Sequence, residues 1–253
     1  MMNAMEMFIL AGVIGACVGS FVNVVVMRMG KGESWISKRS HCTSCKAPIA
    51  WYDLIPLLSA VLLRFRCRIC HARFSSEYFW GELSMAALAV AWVAIYNFSS
   101  EPLHIAYAFA LVICITLLRL DARYLWLPDS LTALLGIVAI AGHLLAGSNL
   151  KEYLLSGAGL AAFFAILHVV SRGRWIGLGD AKLAGGIGLL LGYPLGFLAV
   201  VGGVWLAAAY ALVLIFLRRA TLKTAIPLGT FLCIGAVCVI LFPSYVRPLE
   251  RLF

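Results

Sequence analysis

Residues 104–129 of the chain read HIAYAFALVICITLLRLDARYLWLPD, and this stretch indicates the fold class. Before Arg119 it contains no acidic residue, lysine or arginine, which is typical of a helix in the hydrocarbon of a bilayer. Arg119 and Asp121 follow directly, as expected where such a helix reaches the membrane surface. We predict a transmembrane helix over about 104–119, with Asp121 just past its end.

Similar apolar stretches recur along the whole chain. They cover about residues 5–27, 81–97, 104–119, 130–147, 153–170, 183–195, 197–217 and 226–243. Hydrophobic residues make up 63% of the 253 residues, and the mean hydropathy is +0.99, which is far too apolar for a soluble fold of this size. We therefore predict an all-α polytopic membrane protein with about eight transmembrane helices in a lipid bilayer.

The net charge of +9 reflects where the basic residues fall. Of the 20 lysines and arginines, 17 lie in alternate loops: Arg28, Lys31, Lys38, Arg39, Lys46, Arg64, Arg66, Arg68, Arg73, Arg119, Arg123, Arg172, Arg174, Lys182, Arg218, Arg219 and Lys223. The other three are Lys151, Arg247 and Arg251. The positive-inside rule therefore predicts that the N-terminus lies outside and that the basic loops are cytoplasmic. Charge spread in this way indicates topology and disfavours nucleic acid as a partner.

The first long loop contains two cysteine pairs. They are Cys42 and Cys45 and, after 21 intervening residues, Cys67 and Cys70. This spacing is typical of a tetrahedral zinc site with four thiolate ligands, half of it from each pair. Two disulfides are the alternative, but a cytoplasmic loop is a reducing environment. His41 and His71 could substitute as ligands, and a closed four-ligand site would support folding rather than catalysis.

Acidic residues are scarce, so their positions carry information. Asp121 follows the third apolar stretch, and Asp180, in the sequence GLGD, opens the sixth. Two carboxylates that share one proton can hydrolyse a peptide, because the charged one acts as a base toward water and the neutral one as an acid toward the carbonyl. We expect Gly177 and Gly179 to allow unusual backbone angles and a close substrate approach. The helix N-terminus would favour an ionised Asp180 over Asp121.

Each of these polar residues also has a plainer interpretation. Asp129 is typical of a helix N-cap, which we favour over catalysis. Asp180 could be a cap as well, and Asp121 could be a solvated loop residue. Lys182 could adjust the protonation of Asp180, or it could extend its charge to the membrane surface. Glu82 could belong to a polar site, or it could anchor its helix at the membrane interface.

Several segments together carry a resemblance to a known family. They are residues 19–25 (GSFVNVV), 49–59 (IAWYDLIPLLS) between the cysteine pairs, 121–129 (DARYLWLPD) and 177–182 (GLGDAK). On these motifs the chain closely resembles the bacterial type IV prepilin peptidases, which are GxGD membrane aspartic proteases. It departs from the family pattern at Leu54 and over residues 77–82.

The resemblance implies that Asp121 and Asp180 are the catalytic pair and that Asp129 stands where Asn can also occur. It implies prepilins or type II secretion pseudopilins as substrates, which lose a short basic leader at the cytoplasmic face of the bacterial inner membrane. It further implies N-methylation of the new N-terminus from S-adenosylmethionine, although no motif identifies the residues that bind this methyl donor.

On the same basis we divide the chain into three parts. Residues 1–28 are the first transmembrane helix, 29–80 a cytoplasmic four-cysteine zinc-binding domain, and 81–253 a seven-helix membrane aspartic peptidase core. The alternatives are a cleavage-only GxGD protease of another substrate class and a transporter or scaffold whose aspartates bind a proton or cation. The four-cysteine loop disfavours a preflagellin or signal-peptide-clearing protease, and the sequence shows no repeated membrane halves of the kind transporters have.

Overall fold

The computed structural model describes residues 3–33, 40–221 and 224–243. Within these residues the chain forms α-helices and a 3₁₀ helix, Trp51–Leu54, but no β-sheet. The α-helices are α1 (Ala4–Met29), α2 (Leu58–Leu62), α3 (Glu77–Tyr96), α4 (Pro102–Tyr124), α5 (Asp129–Leu145), α6 (Leu150–Val170), α7 (Leu178–Leu191), α8 (Leu195–Phe216) and α9 (Leu228–Leu241). Five residues of the charge pattern lie outside the described residues: Lys38, Arg39, Lys223, Arg247 and Arg251.

Each of the eight apolar stretches forms a helix, which confirms the predicted fold class. Among the described residues, five helices are long and apolar enough to cross a membrane, namely α1, α3, α4, α6 and α8. The 14 residues of α7 or of α9 extend only about 21 Å, because a helix rises 1.5 Å per residue. The hydrocarbon core is about 30 Å thick. Helix length therefore supports five full spans, and a total of eight stays a prediction.

The chain divides into two compact units, Met1–Phe98 and Ser99–Phe253. In the first unit α1 and α3 pack along each other. Their backbones meet closely at Gly19, where a Cβ atom would lie 2.8 Å from Cα of Glu82. Small residues at such a crossing are typical of helices that associate in membranes, because they let the backbones approach.

In the second unit α7 is the central helix, in contact with α5, α6, α8 and α9. Its backbone approaches α6 closely, since a Cβ on Gly188 would lie 2.9 Å from Cα of Gly157. Helix α9 contacts both α4 and α7. It therefore brings together the helix ends that carry Asp121 and Asp180.

Candidate active site and metal centre

Asp121 lies in the last turn of α4, whereas the hydropathy pattern predicts a position just beyond the end of this helix. The helix continues past residue 119 because Leu120 and Asp121 both face the interior, and it ends at Leu125, whose φ of 50° is left-handed. Asp121 is only 5% exposed. Its interpretation as a solvated loop residue is therefore wrong.

Thr230 supplies the hydrogen bonds that this buried carboxylate needs. Its backbone N–H donates to Asp121 Oδ2 at 2.6 Å, and its hydroxyl lies 3.0 Å from the same oxygen. Thr230 is the third residue of α9, so its N–H is one of those that a helix leaves without an internal partner. The N-terminus of α9, with its partial positive charge, consequently points at Asp121.

The hydroxyl of Thr230 can serve either protonation state of Asp121. It also lies 3.3 Å from the carbonyl oxygen of Leu118. When Asp121 is ionised, the hydroxyl donates to Oδ2; when Oδ2 carries a proton, the hydroxyl can accept that proton's hydrogen bond and donate to Leu118. A carboxyl group that gains and loses a proton therefore keeps a partner throughout.

Asp180 lies in the first turn of α7, which begins at Leu178, so the prediction that this residue opens the helix is confirmed and the helix starts before the apolar stretch at 183. Its Oδ2 accepts a hydrogen bond of 3.1 Å from the backbone N–H of Gly177, the N-cap residue. This contact satisfies one of the unpaired N–H groups at the helix start. Asp180 therefore does cap α7, while its side chain stays partly exposed.

The two carboxylates belong to one arrangement in the second unit. They lie close enough for their charges to interact. Each also lies at a helix N-terminus, Asp180 at that of α7 and Asp121 at that of α9. Asp121 also lies in the last turn of α4, where the partial charge of that helix is negative, so the expected preference for an ionised Asp180 stays a prediction.

Leu127 packs between the starts of α7 and α9 and depends on two glycines. A Cβ on Gly179 would lie 3.1 Å from Cβ of Leu127, and a Cβ on Gly229 would lie 2.8 Å from its Cδ1 and 3.1 Å from Asp121 Oδ2. Neither Gly177 nor Gly179 has a positive φ, so the unusual backbone angles expected there do not occur. What the fold uses at Gly179 and Gly229 is the absence of a side chain.

Asp129 is the first residue of α5, and its side chain makes no capping hydrogen bond, so the predicted N-cap is wrong. Pro128 occupies the N-cap position, and its fixed φ suits that place. The Asp129 carboxylate instead pairs with Lys182 Nζ at 2.7 Å. The two side chains are 75% and 41% exposed, so this ion pair contributes only about 0–1 kcal/mol. The charge of Lys182 is thus directed to Asp129.

Thr230 and Leu127 are the site residues that the sequence analysis missed. A local signal exists for Thr230, which is a polar residue at the beginning of the apolar stretch 226–243. Its partner Asp121 lies 109 residues earlier, however, so no local pattern links the two. Leu127 carries no signal, because an apolar residue beside Pro128 is unremarkable in so apolar a chain.

The cysteine pairs of the first unit form the same turn twice, as their similar local sequences suggested. In each turn the N–H of the first cysteine donates to the carbonyl five residues later, and its carbonyl accepts from the N–H four residues later. Lys46 and His71 stand at equivalent positions, with left-handed φ values of 61° and 55°. Cys42–Cys45 and Cys67–Cys70 are therefore two equivalent knuckles.

The four sulfur atoms of these knuckles form one cluster. All lie within 4.8 Å of one another, and Cys42 Sγ is 3.8 Å from Cys70 Sγ. A tetrahedral zinc ion with Zn–S bonds of about 2.3 Å holds its sulfurs about 3.8 Å apart. The cysteines are free thiols, and the donor set fits a tetrahedral metal ion. Neither His41 nor His71 belongs to this cluster among the described residues.

The thiols of the cluster differ in acidity. The backbone N–H groups of Cys45 and Ser44 lower the pKa of the Cys42 thiol to about 6. The backbone N–H of Ala72 lowers the pKa of Cys70, but desolvation and the neighbouring thiols outweigh it and raise that pKa to about 11. Crowded thiols of this kind suit a cation, which replaces their protons when it binds.

Two acidic residues, Glu82 and Asp53, make hydrogen bonds that hold the loop between α1 and α3 in place. Glu82, which is 8% exposed, accepts a hydrogen bond of 2.8 Å from the backbone N–H of Leu57, whose φ is 62°. Arg68 donates to both oxygens of Asp53, at 2.6 Å and 2.9 Å, and these hydrogen bonds hold the pKa of Asp53 below its usual value. Glu82 therefore belongs to a buried polar contact.

Comparison with known proteins agrees with this arrangement. Residues 13–96 match the Bacterial Peptidase A24 N-terminal domain, and residues 104–212 match the Type IV leader peptidase family. A type 4 prepilin-like proteins leader peptide-processing enzyme of Escherichia coli O78:H11 is 30% identical over 92% of this chain and 93% of its own length. A prepilin leader peptidase/N-methyltransferase of Legionella pneumophila is 27% identical over 91% and 90%.

A third relative, a prepilin leader peptidase/N-methyltransferase of Myxococcus xanthus, is 33% identical over 71% of this chain but only 54% of its own length. No solved structure shows a significant match. The fold and the family matches define a polytopic membrane protein of the peptidase class. The chain belongs to the type IV leader peptidase family.

Proposed function

We propose that this chain is a membrane aspartic endopeptidase that removes the short basic leader of type IV prepilins or type II secretion pseudopilins. The single observation that supports this most is the pairing of Asp121 and Asp180 at the starts of two helices, with interacting charges. The names of the relatives supply the substrate class. The proposed parts are the first helix at 1–28, the zinc domain at 29–80 and the peptidase core at 81–253.

In the proposed reaction Asp121 and Asp180 share one proton. The ionised carboxylate takes a proton from a water molecule, which attacks the carbonyl carbon of the scissile peptide, while the neutral carboxyl hydrogen-bonds to the carbonyl oxygen. As the tetrahedral intermediate collapses, the roles exchange and the leaving amine receives a proton. Thr230 suits this exchange because its hydroxyl can donate to or accept from Asp121.

The side of the membrane and the second activity belong to the same proposal. The charge pattern supports a cytoplasmic position for both aspartates and for the cysteine domain, with a periplasmic N-terminus in the inner membrane. We also propose that the enzyme methylates the new N-terminus from S-adenosylmethionine, since the relatives from Legionella and Myxococcus carry this activity in their names.

The metal proposed for the cysteine cluster is zinc. Cys42, Cys45, Cys67 and Cys70 would hold it with no open coordination position, so it would stabilise the loop and take no part in hydrolysis. Metal analysis of the purified chain tests this directly. About one zinc ion per chain is expected, and a metal-free chain that is fully folded would refute it.

Cleavage of a purified prepilin in detergent or lipid tests the catalytic assignment. Asp121→Asn and Asp180→Asn should each abolish cleavage, because an amide cannot exchange the shared proton. Asp129→Asn is the matched control, since it is the same change at an exposed aspartate in the same unit, and it should retain cleavage. Full activity of either of the first two variants, or loss in the control alone, would overturn the assignment.

Methyl transfer needs its own measurement with a labelled methyl donor and a pre-cleaved substrate. Cleavage without methylation would favour the cleavage-only alternative. A second candidate is an ion-coupled transporter or scaffold. In that case the prepilin should stay intact with the wild-type protein and with both aspartate variants. The same assay therefore separates the two classes of function.

A further inference from the structure

The loop of the first unit exposes an unusually apolar surface. It lies on residues 51–62, here termed the interface segment, which comprises the 3₁₀ helix, α2 and the turn between them. Its exposed large apolar side chains are Trp51, Tyr52, Leu54, Ile55, Leu58, Val61 and Leu62. Trp51 is 77% and Leu62 70% exposed. Such a patch on a soluble loop would favour aggregation, so it indicates a binding surface.

The interface segment is held in this orientation by contacts on its other side. Asp53 is paired with Arg68, and the N–H of Leu57 donates to Glu82. Ala60 is 5% exposed, and its carbonyl accepts from the N–H of Phe65 at 2.9 Å. The polar and small groups thus face the protein while the large apolar side chains face outward. Their exposure follows from the packing of the loop.

The contact with Glu82 fixes the level of the interface segment along a membrane helix. Glu82 lies five residues after Glu77, the first residue of α3, or about 8 Å along the axis at 1.5 Å per residue. α3 is one of the helices long and apolar enough to cross a membrane. Its first turn contains Tyr78 and Trp80, residue types that are enriched where a helix enters the bilayer. Leu57 therefore lies beside α3 at the membrane–water boundary.

The charges that follow the interface segment suit a lipid surface. Arg64 and Arg66 come directly after α2 and are exposed. Basic residues next to exposed aromatic and aliphatic side chains are typical of segments that lie in the headgroup region of anionic membranes. Arg68 is already engaged by Asp53, so the positive charge nearest to the interface segment along the chain comes from Arg64 and Arg66.

We propose that the interface segment, residues 51–62, lies in the bilayer surface beside α3, with its apolar side chains in the headgroup and upper acyl region and Arg64 and Arg66 at anionic headgroups. It is a second mode of membrane attachment, in the plane of the membrane and separate from the spanning helices. It anchors the cysteine loop close to the membrane face. This inference is independent of the proposed peptidase activity.

Bilayer-dependent quenching of Trp51 tests this directly. The full chain and a Trp51→Phe variant are placed in nanodiscs of zwitterionic and anionic lipids, with and without bromine on the upper acyl chain. The difference between the two proteins isolates the emission of Trp51. We expect brominated lipid to remove most of this emission, and aqueous iodide to remove little of it. Quenching should increase with the anionic fraction and lose that dependence in Arg64→Gln with Arg66→Gln.

A charge-insertion variant checks that the segment itself makes the contact. Leu58→Asp with Leu62→Asp should abolish the bromolipid quenching of Trp51. Leu58→Met with Leu62→Met is the matched control: it changes the same two exposed positions but keeps them apolar, so it should leave the quenching intact. Retained metal content and helicity show which variants fold.

Two results would overturn the inference. If iodide quenches Trp51 and brominated lipid does not, the interface segment faces water. If neither quencher reaches Trp51, another protein surface, such as a second copy of the chain, covers the segment instead of lipid.

Discussion

Replacing Thr230 by valine removes a hydroxyl that contacts Asp121 and, at 3.3 Å, the carbonyl oxygen of Leu118. Valine has nearly the same shape, so packing is kept, and the backbone N–H at 2.6 Å from Asp121 Oδ2 stays in place. The lost contact is the hydroxyl at 3.0 Å from the same oxygen. A hydrogen bond to a charged group contributes about 1.5–3 kcal/mol. Because the second donor remains, we take the lower end of this range.

About 1.4 kcal/mol corresponds to a tenfold change in rate. If the hydroxyl orients Asp121 and supports both of its protonation states, kcat for prepilin cleavage should fall roughly tenfold in Thr230→Val. KM should change little, because Thr230 contacts the carboxylate rather than a substrate. Thr230→Ser keeps the hydroxyl and should recover most of the rate.

Thr116→Val is the matched control for this experiment. Thr116 lies in the same helix as Asp121 and is 4% exposed, and its hydroxyl donates to the carbonyl of Val112 in its own helix at 2.7 Å. This substitution should leave kcat nearly unchanged. Wild-type turnover in a folded Thr230→Val variant would refute a positioning role for the hydroxyl. An equal loss in the control would show that the effect comes from packing.

Three further predictions concern packing, metal binding and the loop. Gly229→Ala should cost about 1–3 kcal/mol of stability by overpacking and lower cleavage, whereas Gly202→Ala should be neutral or stabilising in thermal unfolding, since nothing lies within 4 Å of its Cβ position. Cys45→Ser should lose the bound zinc and make the cysteine loop sensitive to protease while the membrane helices stay intact; full zinc retention would contradict the four-thiolate site. Glu82→Ala should cost about 1–3 kcal/mol because the N–H of Leu57 loses its acceptor, and Glu82→Gln, which keeps an oxygen, should cost less in the same unfolding measurement.

Patterns in the sequence were sufficient to predict those features that depend only on residues close together in the chain. Hydropathy identified all eight apolar helices, since a segment in hydrocarbon must satisfy its backbone internally and carry apolar side chains along its whole length. Cysteine spacing predicted the four-sulfur cluster, because each cysteine pair forms its own local turn and the cluster is complete once the two turns pack together. Helix ends were predicted less well: α4 and α7 each extend toward the aspartates beyond the apolar run.

The chain sequence by itself determined that this protein is helical and membrane-embedded, that it carries a four-cysteine loop, and that Asp121 and Asp180 are unusual. Only the tertiary structure decided what surrounds them: Thr230 and the start of α9 at Asp121, Leu127 between two glycines, and Lys182 paired with Asp129. The physical reason is sequence separation. A carboxylate and its donor 109 residues away share no periodicity or spacing, and they meet because α9 packs against both α4 and α7.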